Sequence, residues 1–325
     1  MQRTILLSLA VLLGLAALAP GAWAQQFPTK AVRVITPFSA GSGPDSVLRL
    51  VADKLSKLWG QPVVVENRPG GSGIIALAAA NGSAPDGYTL VELDDTHMAL
   101  QPHLYADARY DGVRDLVPVA TLIKTHFFIV VPANSPWRNV PDLVRAAKAR
   151  PGELTYGSWF IGSPGHVGAA MLQAATDTSM SHVPFKDMAQ LYAAVANGDV
   201  AWAFGSAASA GPMYRAGKVQ FLAVAAPGRV AAFPEVRTVA EAGGPRELEV
   251  KSWIALLAPR GTPKPIVSRI NQDIAKVLAQ PDLRQRLAVI GFEALALSPN
   301  EIAAAIALES RRYGDIVKRA KISLD

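Results

Sequence analysis

Residues 32–59 read VRVITPFSAGSGPDSVLRLVADKLSKLW, and this stretch sets the fold class. Val32, Val34 and Ile35 make a short β-branched run, which favours a strand. Ser39 to Gly43 is a turn of small residues. Pro44 suits a first helical position, where a missing N–H costs nothing, and Val47, Leu48, Val51, Leu55 and Leu58 recur at helical spacing. The spacing predicts a helix that opens near Gly43, with its unpaired N–H groups and positive dipole end beyond the strand. That is an anion-binding geometry.

The same unit repeats outward from there. Val63-Val64-Val65 lies about 30 residues on, the usual spacing of a parallel βαβ unit. The turn Glu66–Gly73, a helix from Ile74 to Ala80 and a strand from Tyr88 to Leu93 follow. Asp94, Asp95 and Thr96 leave that strand on the same carboxyl edge as Ser39–Gly43, where open α/β sheets bind ligands. A further strand, Phe127–Val131, starts the pattern afresh with a helix from Pro141 to Ala149 and a strand from Leu154 to Gly157. The loop Ser158–Gly165 then leads to a helix opening near His166. Strands Ser181–Pro184 and Val200–Phe204 add the turns Phe185-Lys186-Asp187 and Gly205-Ser206 to a second carboxyl edge. After a strand-like segment from Glu249 to Ala258 the chain is helical over 264–279, 282–290 and 301–318. The expected fold is α/β, two Rossmann-like domains with a ligand cleft between them. One domain comprises residues 25–125 and 251–325, the other 126–250, and the crossings near Thr125 and Lys251 form a hinge.

The N-terminus carries its own reading. Arg3, the apolar run Ile5–Ala19 and the triplet Ala22-Trp23-Ala24 form a secretory signal peptide over residues 1–24, which predicts a soluble, exported chain. There is no cysteine, hence no disulfide, thiolate chemistry or cysteine-linked lipid anchor. The net charge is +6, with Arg3 supplying one unit, and the cations are scattered. With no basic stripe or aromatic-basic motif, nucleic acid is not an expected partner.

Catalytic and cofactor motifs fail on their details. Gly41-Ser42-Gly43-Pro44 lacks the third glycine and the distant acid of a dinucleotide site, and residues 211–218 have the wrong spacing for a phosphate loop. The histidines 97, 103, 126, 166 and 182 show no zinc spacing, so neither cofactor nor metal is expected. Ser39, Ser42 and Ser209 are the serines an exported hydrolase would use, yet no base is evident for any of them. Asp94, Asp95 and Asp187 are either solvated turn acids or, some of them, partners of a cationic ligand group. Trp159 and Phe160 either pack between domains or stack on ligand.

The chain resembles the Bug, or tripartite tricarboxylate transporter receptor, family of periplasmic solute-binding proteins. The resemblance is carried by PFSAGSGPD (37–45), GQPVVVENRPGGSG (60–73), APDGYTL (84–90), HVPFK (182–186), RAGKVQFLAV (215–224), TVAEAG (238–243) and SWIALLAPRGTP (252–263). It implies a two-lobed type II periplasmic binding protein (Venus flytrap) fold that closes on a small carboxylate, held mainly by backbone N–H groups, small hydroxyls and ordered water in the first-domain loop rather than by an arginine clamp. It implies ligand contacts at Phe38, Ser39, Ala40, Gly41 and Ser42 in the first lobe and at Ser158, Gly162, Ser163 and His166 in the second. Asp94, Thr96, Trp159, Phe160, Asp187, Gly205 and Ser206 complete the expected site. The bulky Trp159-Phe160-Ile161 and the extra acid Asp187 depart from the family pattern and point to an aromatic, apolar or amine-bearing monocarboxylate rather than a dicarboxylate. The implied protein is a monomeric, non-enzymatic receptor serving the membrane subunits of a transporter. The alternatives are a hydrolase of small esters or amides and a periplasmic sensor.

Overall fold

A computed structural model describes residues 27–104 and 114–320. The leader reading of residues 1–24 lies outside them. In chain order the elements are β1 (Val32–Thr36), α1 (Gly43–Trp59), β2 (Val63–Asn67), α2 (Ile74–Asn81), β3 (Thr89–Asp94), β4 (Leu116–Pro132), α3 (Val140–Ala149), β5 (Thr155–Ser158) and α4 (Pro164–Thr176). They continue with β6 (Ser181–Pro184), α5 (Met188–Asn197), β7 (Trp202–Ser206), α6 (Ala207–Arg215), β8 (Val219–Val224), β9 (Lys251–Pro259), α7 (Lys264–Leu278), α8 (Pro281–Val289), β10 (Glu293–Ala294) and α9 (Pro299–Ala320). A π turn over Thr96–Leu100 follows β3.

β1 pairs in parallel with β2 and β3, as the βαβ spacing requires. β9 closes on β3 antiparallel. α1 starts where the sequence puts it, because Ser42 caps it and Pro44 fits its first turn, and it ends at Gly60 with φ 64°. Its face of Val47, Leu48, Val51 and Leu55 packs with β1 and with Ile270 and Ile274 of α7. The second lobe has its own core around Phe128, Tyr192, Trp202 and Phe204.

β4 belongs to both lobes. Leu116–His126 pairs with β9, and from Phe127 onward the strand pairs with β7 and β8. The sequence reading begins this strand at Phe127, since only its second half is a continuous apolar run. The first half carries Pro118, Thr121, Lys124 and Thr125 and is held by β9 instead. At the crossing Thr125 lies opposite Ser252 and His126 opposite Lys251, and the Glu249 carboxylate meets both His126 Nε2 (3.2 Å) and Lys251 Nζ (3.6 Å).

The lobes touch. A Cβ on Gly43 would lie 3.2 Å from Ala208 Cβ, and one on Gly291 only 2.1 Å from Ala207 Cβ. The His97 and Phe160 rings are 5.7 Å apart across the seam. Behind it, Tyr313 and Val317 of α9 join Val167 and Ala170 of α4 in a small apolar cluster.

Within the second lobe His166 and His182 stack at 4.0 Å, with Tyr156 against His182 at 5.0 Å. His166 Nδ1 accepts from Gly162 N–H at 3.0 Å. Ser158 Oγ donates to Phe160 O at 2.9 Å and therefore accepts from His182 Nε2–H at 2.7 Å. Burial, with His182 as a lesser cause, pushes His166 down to about 3, and burial pushes His182 down to about 4. Both rings stay neutral in the native state while the unfolded chain takes up protons below about pH 6.5, so stability falls as pH falls through that window. Between pH 6.5 and 5 the pair should remove on the order of 3 kcal/mol. Urea unfolding at several pH values checks this. In the His166→Asn, His182→Gln double variant, whose amides can supply the same acceptor and donor, the acid-side slope should shrink. An unchanged slope contradicts the assignment.

Candidate functional site

A cavity of about 40 Å³ lies between the lobes, lined by Phe38, Gly43, Pro44, Asp94, Ile123 and Thr125 from the first and by Phe127, Trp159, Pro164, Met188, Ser206 and Ser209 from the second. Ser252, Ile254 and Phe292 complete the wall. At roughly 10–15 Å³ per water this is space for a few water molecules. A larger solute requires the lobes to part or side chains to move.

The first-lobe edge is built on Asp45. This carboxylate is 1% exposed. Its Oδ2 accepts from Gly41 N–H (2.8 Å) and Arg49 Nε (3.0 Å), and its Oδ1 from Asn67 Nδ2 (2.7 Å). Burial opposes its charge, but Arg49, Asn67 and Gly41 outweigh that and hold it below the usual carboxylate range. Asn67 Nδ2 also donates to Phe38 O at 2.9 Å, fixing the loop's start. Ser42 N–H is bonded to Ser39 O. Among the described residues the N–H groups of Ser39, Ala40 and Gly43 donate to no protein acceptor, and the loop from Ser39 to Gly41 is exposed.

Helix starts converge on the same space. Gly43 and Pro44 open α1, Pro164 opens α4, Met188 opens α5, and Ser206 with Ser209 forms the capping box of α6. The positive dipole ends of four helices thus surround a cavity that no Lys or Arg among the described residues lines. This arrangement recognises an anion through N–H groups and dipoles rather than through a cation.

Asp94 is the one acid in the wall among the described residues. Its Oδ1 accepts from Thr96 Oγ1 (2.7 Å), His97 N (2.9 Å) and His97 Nδ1 (2.6 Å), while its Oδ2 has no hydrogen bond among the described residues. Burial disfavours its charge, but His97 and these bonds keep it below the ordinary range. Asp95 faces away from the cavity, bonding Ser252 Oγ, Trp253 N and Tyr313 OH. Burial, Glu309 and Asp94 push it well up.

Of the residues expected from sequence, Phe38, Asp94, Trp159 and Ser206 line the cavity, and Ser39, Ala40, Gly41 and Ser42 form the loop beside it. Trp159 stacks on Phe127 at 5.6 Å, so it is wall and packing at once. Phe160 packs on His97. The structure does not bring the others into the wall. Thr96 is buried against Asp94, Ser158 against His182, Ser163 caps α4 and His166 accepts from Gly162. Asp187 caps α5 through Gln190 N at 2.8 Å. Gly205 is a packing glycine, since a Cβ there would meet Ala210 at 2.7 Å.

Sequence reasoning missed Thr125, Phe127, Met188, Ser209, Ser252 and Phe292 as wall residues. Thr125 and Ser252 had a usable signal, because both sit at the two crossings. Phe292 had none, since it comes from the turn after α8. Ser209 is no nucleophile here. Its hydroxyl bonds Tyr192 OH and Ser206, and no histidine or carboxylate among the described residues reaches it. Ser158 does meet a histidine, but its own proton is given to Phe160 O and it is fully buried.

The sequence matches a family model described as the tripartite tricarboxylate transporter family receptor over residues 47–322. Protein BugT of Bordetella pertussis is 29% identical over 326 residues, spanning 100% of both chains. R. palustris Rpa4515, solved with adipate, is 32% identical with a TM-score of 0.86 over 91% of this chain and 99% of that one. MatC (Rpa3494) from Rhodopseudomonas palustris, solved with bound malate, is 29% identical with a TM-score of 0.81 over 90% and 100%. A two-lobed fold with anion-facing helix starts agrees with these likenesses, and the chain belongs to the tripartite tricarboxylate transporter receptor family, whose members are solute-binding receptors and not enzymes.

Proposed function

We propose that this protein is an exported periplasmic receptor that captures a small carboxylate between its lobes for delivery to the membrane subunits of a transporter. The hinge divides residues 25–125 and 251–325 from residues 126–250. The ligand carboxylate docks on the N–H groups of Ser39, Ala40 and Gly43, and the second lobe closes over its body. The observation that carries this reading is that the N–H groups of Ser39, Ala40 and Gly43 have no protein acceptor among the described residues and stand at or beside a cavity ringed by helix starts, whose wall holds no Lys or Arg among those residues. Differential affinity for the closed form drives closure.

The rest of the wall favours a monocarboxylate with an apolar or aromatic body. Phe38, Phe127, Trp159, Met188 and Phe292 supply apolar surface, and the uncommitted Asp94 Oδ2 repels a second carboxylate while accepting from an amine or hydroxyl. Asp187, which caps α5 and does not line the cavity, is dropped as the amine partner. A dicarboxylate is the second reading. It is favoured by the second-lobe helix starts at Pro164 and Ser206, which offer a far carboxylate a place, and by the adipate and malate held by similar proteins.

A thermal-shift screen of unfolded and refolded, ligand-stripped protein against mono- and dicarboxylates, amino acids and aromatic acids tests both. A ligand at about a hundredfold excess over Kd adds about 2.7 kcal/mol, a shift of several degrees for a chain of this size. The first reading expects aromatic or amino monocarboxylates to outrank adipate, malate and succinate. The reverse order replaces it with the second, and silence across all carboxylates contradicts the receptor site. Closure is tested separately by Ala208→Leu, which wedges the lobes apart at Gly43. It should enlarge the radius of gyration in solution scattering and weaken binding of the best acid at least about tenfold. Unchanged compactness and affinity would contradict the closed-form account.

A further inference from the structure

Glu92, in the middle of β3, is fully buried. Its Oε2 accepts from Thr36 Oγ1 at 2.6 Å, and its Oε1 has no partner among the described residues. Thr36 Oγ1 in turn accepts from Phe38 N–H at 3.2 Å. A buried acid, a hydroxyl and the first residue of the anion loop thus stand in one line, at the carboxyl ends of β1 and β3. Phe38 itself lines the cavity. Nothing in the receptor reading so far uses this acid, and a carboxyl in an apolar core is costly to keep without a role.

The charges around Glu92 are all acidic or already paired. α1 presents Asp45, held by Arg49, and β3 itself presents Asp94, held by His97. β1 contributes the neutral Thr36, and β9 sets Leu256 opposite. Burial, with Asp45 and Asp94 adding to it, pushes the Glu92 carboxyl up to about 8, while its bond from Thr36 opposes the shift. A neutral carboxyl leaves the ground beneath Ser39–Gly43 free of an extra negative charge. An ionised one puts an uncompensated buried anion two hydrogen bonds from a loop that receives anions.

We infer that Glu92, acting through Thr36, is a positioning residue of the Ser39–Gly43 loop and that its ionisation, two hydrogen bonds away, opposes an anion held there. Thr36 donates to either form of the carboxyl, so the loop responds to the added charge, and carboxylate affinity declines as the pH rises through the ionisation of Glu92. The affinity part rests on the proposed docking of a carboxylate at the loop. The positioning part does not.

The test is a pH titration of the ligand-free protein by carbon-detected NMR, following the Glu92 carboxyl and the backbone of Phe38, Ser39 and Gly41 from pH 6.5 to 9.5. The inference expects the carboxyl and the loop resonances to move together with a midpoint near 8. Glu92→Gln, which keeps an oxygen for Thr36 but cannot ionise, should abolish the loop's titration. Thr36→Val should leave the carboxyl titrating and the loop still. A merely structural acid would move neither loop nor pH profile in this pattern. Loop resonances that stay flat in the wild type, or titrate unchanged in Glu92→Gln, overturn the inference. Adipate and malate added at pH 7 separate the two readings. Loop titration without a response to either acid or to any other carboxylate of the screen supports the positioning role and contradicts the docking role. A carboxylate response on a loop insensitive to pH does the opposite.

Discussion

One buried carboxylate organises the binding edge of this receptor. Asp45 stands in the first turn of α1, where negative charge is favoured by the helix dipole. It gathers Gly41 N–H, Asn67 and Arg49 around itself. Because Asp45 takes Gly41, and Ser42 is bonded to Ser39, the remaining N–H groups of the loop are left for whatever occupies the cleft. An arginine in the cleft would bind a carboxylate more strongly, but it would hold it in open and closed lobes alike. On the proposed reading, donors on the first lobe completed by helix starts on the second would make the affinity depend on closure, the property a delivery protein needs.

The strand crossing supplies the matching mechanical constraint. β4 is one strand shared by two sheets, and β9 runs back beside it, so the lobes are joined by two paired strands rather than by loose linkers. Thr125 and Ser252, which lie opposite each other at the crossing, are both in the cavity wall. Movement of the lobes therefore changes the floor of the site as well as its mouth. The cluster of α9 with α4 behind the crossing adds apolar contact between the lobes.

Much of this was legible in the residues alone. The strand–turn–helix of residues 32–59 carries its own signals in β-branched alternation, Pro44 and helical spacing, and α1 begins at the residue they indicate. β4 exchanges β9 for β7 and β8 after His126, and it is longer than its apolar half suggests. What sequence could not show was side-chain direction. Ser158, Ser163, His166 and Asp187 sit on or beside second-lobe loops, yet local hydrogen bonds turn each of them inward or onto a helix start. Phe292 reaches the cavity only through tertiary packing, and no local pattern marks it.

The most direct test of the account is a crystal structure of the stripped protein with the acid that binds best in the screen. The account expects one ligand carboxylate within about 3 Å of the backbone nitrogens of Ser39, Ala40 or Gly43, with the ligand body against Trp159 and Phe127. A carboxylate held instead by a lysine or arginine, or bound only at the second-lobe helix starts with the Ser39–Gly43 donors facing solvent, would contradict it.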